Sequence, residues 1–73
     1  MQRREIQIRG EMIRLGQLLK LAGVADDGSE AKALLAAGLA TVNGEPETRR
    51  GRQVHPGDVV SVDGTELRVV ADG

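Results

Sequence analysis

Residues 14–44, RLGQLLKLAGVADDGSEAKALLAAGLATVNG, decide how this chain folds, because within them the apolar period changes from helical to extended. Leu15, Leu18, Leu19 and Ala22 fall at i, i+3, i+4 and i+7, the stripe of a short helix that starts about Arg14 and stops at Gly23, its C-cap. Arg14, Gln17 and Lys20 then share the other face. Asp27-Gly28-Ser29-Glu30 reads as a capping box, in which Asp27 accepts from first-turn amides and Glu30 reaches back. The acidic cluster is therefore a helix start rather than a metal site, since a calcium loop needs a longer alternation of oxygen ligands than Asp26 and Asp27 supply. Ala31, Leu34, Leu35 and Gly38 give the second helix its apolar side, with Lys32 at its margin and an alanine-rich surface that packs closely on the first. Past Gly38, Ala40-Thr41-Val42 leads into Asn43-Gly44, a two-residue hairpin signal.

Outward from this stretch the pattern stays extended. Glu5 to Arg9 alternates polar and apolar, a short strand with Ile6 and Ile8 on one face. Downstream, Pro56-Gly57-Asp58 makes a turn into Val59-Val60-Ser61-Val62, Asp63-Gly64 makes another, and Glu66 to Val70 closes the sheet. The order is β-α-α-β-β-β with one or two extra short strands, an α+β fold of two packed helices followed by a small curled sheet. A chain of 73 residues is read as one domain near the lower limit for a self-sufficient core. With no Phe, Trp or Tyr, that core must be Leu, Val, Ile and Ala. No cysteine means no disulfide and no thiolate metal site, which suits a reducing cytoplasm. The basic N-terminus lacks the apolar segment of a secretory signal, and no run approaches membrane-spanning length, so a soluble cytoplasmic protein is expected.

The formal net charge of −1 hides a segregation: residues 1–25 carry +3, 26–48 carry −4, 49–52 carry +3 and 53–73 carry −3. Arg49, Arg50 and Arg52 put three cations in four residues on a loop between strand signals. Signs separated in this way point to a face for a polyanion, although a short arginine run can equally be a solvated loop. Folds that read single-stranded nucleic acid by stacking need rings that this chain lacks. A nucleic acid would therefore be held through phosphates and shape, which favours folded RNA. His55, the one histidine, stands beside Pro56 in a turn with neither a nucleophile nor a second ligand in sequence reach. Without cysteine, a phosphate-cradling glycine motif or a paired-carboxylate spacing, no enzyme, catalytic residue, metal or cofactor is expected.

Arg14-Leu15, the helix ending at Gly23, Glu30-Ala31-Lys32, Gly38, Val42-Asn43-Gly44 and Pro56-Gly57-Asp58, in this order and spacing, resemble an S4 domain, a module of RNA-binding proteins. The likeness spans about residues 14–62. Leu18-Leu19-Lys20 and Glu47-Thr48-Arg49-Arg50-Gly51-Arg52 resemble the small free-standing bacterial members. The resemblance implies an αL-type surface in which two helices and the following hairpin loop clasp structured RNA, ribosomal or transfer, with no enzyme attached. Two departures stand out: Gly16 where many S4 domains carry Asp, and Asp27-Gly28 where many carry Ser-Arg at the head of the second helix.

The candidate RNA contacts are Arg14 and Lys20 from the first helix, Lys32 from the second, and Arg49, Arg50 and Arg52 from the loop. Arginine suits the task because its planar fork pairs two phosphate oxygens. An ordinary solvated helix face is the competing reading of Arg14 and Lys20. Arg3, Arg4 and Arg9 are read as mobile terminal charge. Two rivals remain: a protein-interaction module whose acidic segments hold a basic ribosomal protein, and a β-grasp sulfur carrier. Such carriers end in Gly-Gly, whereas this sequence reads Ala71-Asp72-Gly73. A monomer is expected.

Overall fold

The computed structural model describes residues 2–72; Gly73, weighed above against a sulfur carrier, lies outside the described residues. In chain order the elements are β1 (Gln2–Ile8), β2 (Ile13–Arg14), α1 (Leu15–Leu21), α2 (Gly28–Ala36), β3 (Ala40–Val42), β4 (Glu45–Pro46), β5 (Gln53–Val54), β6 (Val59–Val62) and β7 (Thr65–Ala71). The expected order holds, with β2, β4 and β5 as extra two-residue strands where one or two were anticipated.

Local chemistry sets the helix ends. Gly23 sits at φ 75°, and its N–H and that of Val24 donate to Lys20 O and Leu19 O, each at 3.0 Å. Gly38, at the same φ, repeats the arrangement with Leu39 on the carbonyls of Leu35 and Leu34. These paired bonds satisfy the last orphan carbonyls, and the left-handed backbone they require favours glycine. Gly38 thus terminates α2 from outside instead of lying on its apolar side. At the start of α2, Asp27 Oδ1 accepts from Glu30 N at 2.8 Å, while Glu30 Oε2 accepts from Asp26 N at 3.3 Å. The box closes one residue earlier than the usual reciprocal pattern.

The main sheet runs β1-β7-β6-β3-β4, and β2 pairs with β5 in a second ladder. β1 lies parallel to β7; every other pair is antiparallel. Register aligns Val42 with Val60, Val60 with Leu67, and Val69 with Ile6, so alternate residues deliver one continuous apolar face. Leu15, Leu18, Leu19 and Leu35 from the helices are fully buried, as are Val60, Leu67 and Val69 of the sheet. The aliphatic core follows from the composition, each such side chain contributing about 1.5–3 kcal/mol on burial.

β1 also corrects one expectation. Arg3 and Arg4 are strand residues, not mobile charge: Arg3 Nε lies 3.4 Å from Glu66 Oε2, and Arg4 Nη1 donates to Ala22 O at the end of α1. Arg9 lies past the strand, exposed.

The Val-Asn-Gly and Pro-Gly-Asp turns form one unit. Asn43, at φ 52°, donates its backbone N–H to Val59 O at 2.7 Å and accepts from Val59 N through Oδ1 at 2.9 Å. Its Nδ2 donates to Asp58 Oδ1 at 3.1 Å, and Asp58 Oδ2 accepts from His55 N at 2.8 Å. Asparagine tolerates the left-handed backbone and supplies both a donor and an acceptor here, which links the two motifs physically. His55 occupies the exposed turn, as expected. The turns anchor β4 and β5, and the arginine loop hangs between those strands.

Candidate functional site

α1 has no side-chain N-cap, since Arg14 occupies that position. Its first amides are satisfied by the distant loop: Leu15 N–H donates to Arg52 O at 2.9 Å and Gly16 N–H to Arg50 O at 3.0 Å. The loop carbonyls therefore turn inward onto α1, and Arg14 Nη1 adds a bond to Gly51 O at 3.2 Å. Gly16 is where the two segments approach: a Cβ built there would lie 3.3 Å from Arg50 Cβ and 3.6 Å from Arg50 O. A larger residue at Gly16 would press on Arg50 of the loop.

Arg14, Lys20, Arg49 and Arg50 line a groove with Gly16, Gln17, Gly28, Ala31 and Gly51. Four of the six sequence-predicted residues thus meet along one depression. Arg52 lines a second, more polar hollow with Asn43, Gln53, His55 and Asp58; Arg49 and Gly51 border both. Lys32 is exposed on α2 and lines neither. Gly28, where the resemblance leads one to expect an arginine, lies on the groove.

The three loop arginines are not equivalent. Glu47, only 7% exposed, accepts through Oε1 from Arg49 Nη2 at 3.1 Å and Arg52 Nη1 at 2.9 Å. Its Oε2 accepts from Thr48 N at 3.0 Å, Arg49 N at 3.1 Å and Arg49 Nε at 3.2 Å. The Arg49 side chain, then Arg52 and the Arg49 amide, hold this carboxyl at about 2 against its ordinary 4.5, and Glu47 in turn raises the Arg49 guanidinium. The Arg50 side chain is exposed and makes no hydrogen bond or ion pair among the described residues. Sequence reasoning missed Glu47. Its five-residue spacing from Arg52 follows no helical or strand period, and a Glu beside a Pro in a charged loop looks solvated. At the second hollow, burial pushes the Asp58 carboxyl up, but the His55 amide and the Asn43 side chain outweigh it and leave it lowered.

Cations converging on an open groove can hold anionic oxygens. Among the described residues no three His, Asp or Glu side chains gather as metal ligands. No helix there is long and apolar enough to cross a membrane.

The chain is similar to known proteins in sequence and in fold. Over 59 residues the chain is 51% identical to the probable ribosome maturation protein RlbA of Bacillus subtilis, covering 81% of this chain and 83% of that one. It is 39% identical to YbcJ of Escherichia coli, whose name proposes RNA binding, over 81% of this chain and 84% of that one. Its fold superposes on the 30S ribosomal protein S4e of Thermoplasma acidophilum with a TM-score of 0.66 and 28% identity, covering 86% of this chain but a third (33%) of that one. The S4 domain family matches residues 6–70, from the middle of β1 through the loop and into β7. With its helix pair, loop-capped α1 and joined turns all inside that span, the chain belongs to the S4 domain family.

Proposed function

We propose that this chain binds structured RNA without catalysis, its groove of Arg14, Lys20, Arg49 and Arg50 receiving the phosphate backbone. The observation that carries the reading is the convergence of these cations, from a helix and a distant loop, over a floor of Gly16, Gly28, Ala31 and Gly51. Small floor residues let a backbone approach closely, and guanidinium forks pair its oxygens. Arg52 extends the surface to the second hollow, and Lys32 adds attraction at longer range. The ribosome-maturation name of the Bacillus subtilis relative makes ribosomal RNA the first partner to test, transfer RNA the second. A cytoplasmic, cofactor-free monomer is the corresponding form.

The protein-interaction reading fares worse because several of its acidic groups are engaged within the fold. Asp27 and Glu30 cap α2, Glu47 holds arginines, and Asp58 joins two turns. The test is a titration of an RNA hairpin against an unstructured oligonucleotide of matched length. Tighter hairpin binding is expected, since no aromatic ring is present to stack loose bases. Equal or reversed affinities refute the preference for structure.

A further inference from the structure

Glu47 is the one charged side chain buried among the described residues, and it sits under the most positive loop of the chain. If its effect were only electrostatic, it would oppose RNA, placing a negative charge behind the cations meant for phosphate. The geometry points to the opposite role: Glu47 is a positioning residue, holding the Arg49 and Arg52 guanidinium groups for RNA, so that neutralising it weakens binding although the surface becomes more positive. This rests on the RNA-binding reading above.

Both oxygens of the carboxylate are filled. Oε1 bridges Arg49 Nη2 and Arg52 Nη1, while Oε2 gathers the Thr48 and Arg49 amides with Arg49 Nε. The amide bonds fix the direction of the chain entering the loop. The side-chain bonds take one edge of the Arg49 fork and leave the other outward, on a side chain that is 74% exposed. Arg52, 33% exposed, is held on the side of the second hollow. One buried anion therefore spaces two guanidinium groups across the loop and removes rotamer freedom that RNA binding would otherwise have to remove. Arg50 has no such tether and remains an adaptable contact.

The experiment compares the parent, Glu47→Gln and Glu45→Gln on two polyanions: a labelled RNA hairpin and heparin, which offers charge without RNA shape. Both substitutions change net charge equally, but Glu45 is exposed on β4. Glu47→Gln is expected to bind the hairpin roughly tenfold more weakly, as two freed arginines must be ordered again. It should hold heparin as well as the parent does or more tightly. Glu45→Gln should match or slightly exceed the parent on both. In an Arg49→Gln/Arg52→Gln background, Glu47→Gln should cause no further loss, whereas its effect should add to that of Arg50→Gln. Should Glu47→Gln fail to fold, Arg49→Lys/Arg52→Lys serves instead: charge is kept, the forks on Glu47 are lost, and hairpin affinity should fall likewise. A parent that binds the hairpin, with variants that bind it equally or more tightly, overturns the positioning role alone. A parent that does not bind the hairpin overturns the RNA reading itself.

Discussion

Replacing Arg50 with glutamine removes one guanidinium from the groove and disturbs little else. Arg50 is exposed, its side chain has no polar partner among the described residues, and glutamine keeps the Cβ that lies against Gly16. The backbone bond from Gly16 N–H to Arg50 O, 3.0 Å, does not depend on the side chain. Stability should therefore change by no more than about 0.5 kcal/mol. If Arg50 neutralises one phosphate, the slope of log affinity against log salt should fall by about 0.7 to 0.9. At about 0.15 M salt a slope change of about 0.8 corresponds to roughly a fivefold loss of affinity, and at about 0.05 M to roughly tenfold. Anisotropy titrations of a labelled hairpin across a series of salt concentrations measure both quantities. Arg52→Gln is the informative contrast, because it strips a 2.9 Å bond from a buried carboxylate and should lower the thermal midpoint where Arg50→Gln does not. An Arg50→Gln protein that folds normally and keeps the parent's affinity and slope would refute the placement of RNA in this groove.

Two further outcomes follow from the site. Glu47 has a folded-state pKa of about 2 against an ordinary 4.5, so its stabilising contribution is complete above about pH 4.5 and is lost as pH falls toward 2. The lowered Asp58 acts in the same direction below its ordinary 3.8. The thermal midpoint should thus fall more steeply with acidification in the parent than in Glu47→Gln, and parallel curves would dismiss the Glu47 contribution. Gly28→Arg should be tolerated, since a Cβ there meets nothing within 4 Å. Its added cation at the groove should tighten hairpin binding roughly fivefold at about 0.15 M salt; unchanged affinity in a folded variant would mean that RNA does not cross the start of α2.

Much of the fold was legible because its signals are local. The stripe of Leu15, Leu18 and Leu19 is buried as its period requires, and the glycines at 23 and 38 close both helices. Asn43-Gly44 and Asp63-Gly64 make the two tight hairpin turns, with Asn43 and Asp63 both at positive φ. The site was legible in part. Charge segregation located the arginines, and the family resemblance linked them to α1, but neither separated Arg50 from its neighbours.

Sequence by itself determined the two helices, the longer strands, the turn residues, the aliphatic core and the places where positive charge collects. Each of these depends on the period or backbone preference of adjacent residues. Tertiary structure alone decided that β1 runs parallel to β7, which turns Arg3 and Arg4 from presumed mobile charge into strand residues. It also decided that loop carbonyls cap α1, that Gly16 lies beneath Arg50, and that a buried Glu47 holds two arginines while leaving the third free among the described residues. The physical reason is the same in each case: an orphan amide or a buried carboxylate takes whatever partner the packed chain brings within about 3 Å, and no local pattern records which distant segment that will be.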